Sequence, residues 1–114
     1  MTREEAQTRL GAWIAGTSDA QAVWQWALAC READAWPPGD GLLRDVIDVL
    51  AALPVDLIVE EDAEVMAYAL GNPVAEADLG QNLLWNHLDG IDTDGRRRAL
   101  AEHPLYGPYC SDIV

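Results

Sequence analysis

The stretch "DGLLRDVIDVLAALP", residues 40 to 54, decides the fold. Leu43, Val46, Ile47, Leu50 and Leu53 follow the i, i+3, i+4, i+7 spacing of one helix face, with Asp45 and Asp48 on the opposite side. Asp40 supplies an acceptor for the first free N–H groups, and Pro54 closes the helix because it has no N–H to donate. An apolar stripe this regular needs other helices to cover it.

The flanking sequence provides them. A first helix is expected over residues 2 to 15, with Thr2 as N-cap and Glu5 completing a capping box. Ala6, Leu10, Trp13 and Ile14 form its inner face, and Gly16 ends it. A second, capped by Thr17 or Ser18, carries Val23, Trp24, Ala27, Leu28 and Cys30 and is expected to stop near Ala35. "WPPGDG", residues 36 to 41, can join neither neighbour, because its prolines bias the residues before them away from helical angles, so it is a fixed turn. A fourth helix is expected from residue 60 to Leu70. A fifth, from Ala75 to Leu88, buries Leu79, Leu83, Leu84 and Leu88. A last one, from Asp94 to Glu102, precedes an irregular tail. No strand alternation persists, so the expected fold is all-α: one domain of 114 residues, a bundle of five to six short helices.

Charge is the unusual feature. Seven arginines, with no lysine, face twenty Asp and Glu residues, giving a formal net charge of −13. A field of that sign repels nucleic acid and anionic lipid and attracts basic partners. Direct nucleic-acid or membrane binding is therefore not expected. Nine acids fall within residues 34 to 64, with Arg44 as the one positive charge among them. The densest run is "IVEEDAEVM", residues 58 to 66, where Glu60 and Glu64 stack one helical turn apart and Glu61 and Tyr68 flank them outward. Asp62 falls toward the apolar side, which suits either an N-terminal cap or the partner of a buried arginine.

Catalytic and metal chemistry find little support. No Glu-x-x-His pair exists for a di-metal site, and neither His87 nor His103 follows a glutamate at that spacing. "DGIDTDGRRR" resembles part of a calcium loop through Asp92, Asp94 and Gly95. In that register Gly90 and Ala101 occupy the first and last ligand positions, so a capped turn before the last helix is expected instead. Arg96, Arg97 and Arg98 lie close to several acids, and internal ion pairing is expected of them. Cys30 and Cys110 fit no metal or redox spacing and read as reduced thiols. No nucleophile elbow or phosphate-cradling glycine loop is present, so no enzyme and no cofactor is expected. The start "MTREEAQTRL" lacks the apolar core of a signal peptide, and no run approaches a membrane span, so a cytoplasmic protein is expected.

Five tryptophans are many for this length. Trp24 and Trp26 point about 200° apart on one helix, so both cannot be equally buried. Trp26 or Trp36 is then a candidate contact residue at an interface.

The segment "RLGAWIAGTSDAQAVWQWALAC", a short helix, a Gly-x-Ser turn and a Trp-bearing helix, is followed by the acidic third and fourth helices. In this pattern the chain resembles acidic all-helical bacterial toxin-immunity proteins of the colicin D immunity type, over about half its length. The resemblance implies a protein that occupies the basic, RNA-binding site of a cognate nuclease toxin, its carboxylates replacing phosphates. Charge and helical position, rather than the resemblance, select the expected contact residues: Asp45, Asp48, Asp56, Glu60, Glu61 and Glu64, with Trp26 or Trp36 as an aromatic anchor. The expected partner is a basic protein and the expected state a monomer or weak homodimer. The alternative is a structural or regulatory interaction subunit without a toxin.

Overall fold

The computed structural model describes residues 2–33, 40–71 and 77–110. Among them lie seven helices: α1 (Arg3–Ile14), α2 (Ala20–Ala33), α3 (Gly41–Ala51), α4 (Glu60–Leu70), α5 (Ala77–Asp89), α6 (Thr93–Leu100) and α7 (Gly107–Cys110). No strand occurs among the described residues. The fold is all-helical as expected, with one helix more than the five to six read from the sequence. The addition is α7, a single turn in the tail expected to be irregular. It forms where Tyr106 turns inward and donates its hydroxyl proton to the Ile58 carbonyl.

α3 is the centre of the packing. Leu42, Leu43, Val46, Ile47 and Leu50 are all fully buried, and α2, α4 and α5 pack around them. α1 lies against α4. Asp40 caps α3 as expected, accepting from Leu43 N–H at 3.2 Å, and the same carboxylate grips the Arg3 guanidinium at 2.6 and 2.9 Å. Arg3 also donates to the Leu70 carbonyl at 3.2 Å. One arginine near the start of α1 therefore holds the start of α3 and the end of α4. Trp24 lies half-buried on α2 and donates its indole N–H to the Ala51 carbonyl at 2.9 Å, which fixes α2 against the end of α3.

Helix ends follow local chemistry. Thr2 accepts from Glu5 N–H at 3.1 Å, and α1 stops before Gly16, whose φ of +81° suits a residue without Cβ. The cap of α2 is Asp19, which accepts from Ala22 N–H at 2.9 Å, rather than Thr17 or Ser18. The Thr17 hydroxyl instead donates back to the Ala12 carbonyl near the end of α1. Asp92 caps α6 by accepting from Gly95 N–H, the capped turn expected in place of a calcium loop. The "WPPGDG" turn before Asp40, with Trp36, and the expected start of α5 at Ala75 lie outside the described residues.

Two departures matter for the surface. Leu57 has a φ of 57° in the turn before α4, a left-handed conformation costing a non-glycine residue about 1–2 kcal/mol. It persists because the side chain is buried and its carbonyl accepts from Arg96 at 3.1 Å. α5 also does not bury its leucines as expected. Leu84 is fully buried and Leu88 packs at the core edge, but Leu79 and Leu83 are exposed. The cause is Gly80, whose missing side chain lets α5 approach so closely that a Cβ there would lie 2.5 Å from Leu42 Cδ2 and 3.3 Å from the Ala69 carbonyl oxygen. At 100° per residue, facing Gly80 inward turns Leu79 about 100° and Leu83 about 60° away from the contact.

Candidate functional site

α4 is held by one buried carboxylate. Asp62 is fully buried in its first turn, and four donors meet its two oxygens. Val59 N–H donates at 2.9 Å, Arg96 donates twice at 2.5 and 3.0 Å, and His87 Nε2 lies 2.7 Å away. Valine has no side-chain acceptor, so only the reciprocal half of a capping box exists here, from Val59 N–H to Asp62. Both alternatives read from the sequence, cap and arginine partner, are thus true of Asp62. Burial alone would raise its pKa. The hydrogen bonds from Arg96, Val59 and His87 outweigh that and hold the carboxyl below its ordinary range. Among the described residues no buried side-chain nitrogen or oxygen lacks a partner.

Because Asp62 points inward, the acids around it point out. Glu60, Glu61 and Glu64 are all exposed on α4, and Tyr68 follows one turn after Glu64 with 72 % of its surface exposed. Glu61 lies 3.6 Å from Arg96, a loose contact at a surface-exposed carboxylate. No ion pair involves Glu60, Glu64 or Asp56 among the described residues. Clefts meet this helix and its approach on several sides. Glu60 and Glu61 border one of about 560 Å³ together with Trp13, Asp19, His103 and Tyr106. Glu61 and Glu64 border another, of about 400 Å³, with Val65, Tyr68, Leu83 and His87. Asp48 and Asp56 border a third, of about 410 Å³, with Val55, Trp85 and Arg97.

The expected contact residues therefore separate. The α4 acids border clefts that contain none of the α3 acids. Asp45 is half-buried beneath α5, accepting from Gln81 at 2.8 Å and from the Trp85 indole at 3.2 Å, so its charge serves helix packing. Asp48 is exposed and lies 3.7 Å from Arg31. Trp26 is half-buried with the Arg9 guanidinium 5.7 Å from its ring centroid, which is cation–π distance. Among the described residues, which do not include Trp36, the exposed aromatics are Tyr68 and Trp85. Periodicity places Tyr68 beside the acids, but it does not reveal that Leu83 joins them across the α4–α5 boundary.

The histidines and cysteines have structural settings. His103 Nδ1 accepts from Leu105 N–H at 3.0 Å in the turn before α7. Cys30 and Cys110 are free thiols, and burial pushes the Cys30 pKa up, away from the nucleophilic thiolate. Among the described residues, no three His, Cys, Asp or Glu side chains gather as a metal ion requires, and no helix is long and apolar enough to cross a membrane. Comparison with protein-family models, curated proteins and solved structures returned no significant match.

Proposed function

We propose that this chain is an acidic binding protein that neutralises a basic partner, acting as an immunity protein that occupies the active site of a nuclease toxin. The observation that supports the reading is the outer side of α4, where Glu60, Glu61 and Glu64 are exposed beside Tyr68. A nuclease grips a polyanion with arginine and lysine. Carboxylates held on a rigid helix meet those groups through charge-assisted hydrogen bonds, and an exposed tyrosine adds contact area at low entropic cost. The net charge of −13 steers the encounter. Of the residues expected from the sequence, Glu60, Glu61 and Glu64 stand at the centre of this surface, with Asp48 and Asp56 on a separate cleft.

The test asks whether a neighbouring gene encodes a basic nuclease domain and, with that domain purified, whether this protein blocks it. The protein should inhibit RNA cleavage at one-to-one stoichiometry. The Glu60→Lys/Glu64→Lys variant should associate about tenfold or more slowly at low salt, a difference that shrinks as salt screens the charges. An unimpaired nuclease, or an association rate indifferent to the reversal, would overturn the proposal.

A second reading, an interaction subunit without a toxin, is favoured by one different observation: the exposure of Leu79 and Leu83 on α5.

A further inference from the structure

α5 carries a leucine stripe that the bundle does not use. Leu79 and Leu83 lie one turn apart on the same side of the helix, 62 % and 38 % exposed. Leu83 borders a cleft of about 400 Å³ with Val65 and Tyr68 from α4, lined also by Glu61, Glu64 and His87, whose Nε2 is turned to Asp62. The surface is thus a shallow apolar groove between two packed helices, edged on the α4 side by carboxylates and continued past Leu83 by Leu79.

We infer that this α4–α5 groove receives an amphipathic helix of the partner, its apolar side chains entering between Tyr68, Leu79 and Leu83 and its lysines or arginines meeting Glu61 and Glu64. Charge complementarity selects this occupant. A second copy of the chain would bring its own Glu61 and Glu64 onto the same pair across a two-fold contact, with −13 on each side. Nucleic acid would meet the same repulsion. A basic amphipathic helix satisfies both halves of the groove, since its apolar positions recur at the spacing of Leu79 and Leu83 and its charges are of opposite sign to the rim. The inference rests on the acidic-binder reading and adds to it the form of the partner segment and the apolar residues that receive it.

The probe is a synthetic helix of about 18 residues with leucines on one face and lysines on the other. An oligoarginine peptide serves as the purely electrostatic comparison. The double variant Leu79→Ser/Leu83→Ser should bind the amphipathic helix at least about tenfold more weakly, the loss of two partly buried apolar contacts. Its binding of oligoarginine should be unchanged. Val55→Ser, which alters an exposed residue elsewhere, should leave both affinities intact. Both leucines are exposed, so the double variant should keep its helical circular dichroism, and Leu79→Ala/Leu83→Ala gives a second, strongly helix-forming version.

If the leucine variants bind the helix normally while Glu61→Lys/Glu64→Lys abolishes binding, the groove assignment fails and the acidic-surface reading survives. If neither pair of substitutions matters, both fail. A concentration-dependent dimer that Leu83→Ser dissolves would assign the groove to a second copy and overturn the inference.

Discussion

Asp62 and Arg96, 34 residues apart in the chain, form a two-point ion pair with N–O distances of 2.5 and 3.0 Å, and the carboxylate in it is fully buried. The pair joins the first turn of α4 to α6. Through the third contact, from His87, it also fixes α5. The exposed acids of α4 therefore rest on an inward-pointing acid of the same turn.

Arg96→Met leaves that carboxylate buried with two of its four donors gone. Breaking a buried pair from one side costs about 3–5 kcal/mol, so the urea midpoint should fall sharply. Arg96→Met/Asp62→Leu removes both charges and should recover part of the loss. A single-variant loss below about 1 kcal/mol would show that the pair does not anchor α4.

Acid should weaken the fold through two carboxyls. Arg3 hydrogen bonds hold Asp40 below its ordinary pKa, against a smaller effect of burial. Asp62 is also lowered, its hydrogen bonds overcoming burial. Unfolded, both return to about 3.9. Folded-state values below the unfolded one mean that the contribution is present above about pH 4–5 and is lost as pH falls through the folded values. Comparison of urea midpoints from pH 7 to pH 3 for wild type and Asp40→Asn isolates the effect of one carboxyl. The variant should be less stable at pH 7 and lose less on acidification. Parallel curves would rule this out.

Glycine to alanine should act with opposite sign at two helical sites. At Gly80 the new methyl meets Leu42 at 2.5 Å, and Leu42 is itself fully buried. Overpacking of about 1–3 kcal/mol should exceed the gain of about 1 kcal/mol in helix propensity, and the protein should lose stability. At Gly11, on exposed α1 surface, nothing lies within 4 Å of the place an alanine methyl would take, so the propensity gain should appear undiminished. Thermal melts of the two variants that moved in the same direction would contradict the account of how α5 is seated.

Much of the architecture is written in local pattern. The stripe of α3, the caps at Thr2 and Asp40, the stop at Gly16, and the helix from Glu60 to Leu70 all depend on neighbours within a turn or two, which periodicity and capping chemistry report directly. The outward placement of Glu60, Glu61 and Glu64 follows from the same geometry. α5 shows where such reading stops. Its leucines suggest an inner face centred on themselves, whereas the contact is centred on Gly80, a residue that contributes no hydrophobicity. The deciding quantity there is distance of approach, which belongs to three helices together.

The candidate site divides along the same line. Sequence by itself determined the net charge, the helical class and which acids of α4 can face water, because each depends on composition or on the period of one helix. Only the tertiary structure decided that Asp45 is engaged under α5, that Trp26 lies beneath Arg9, and that Tyr68 and Leu83 share a groove edged by Glu61 and Glu64. Those outcomes depend on partners far away along the chain, and a helix repeat carries no information about what will be packed against it.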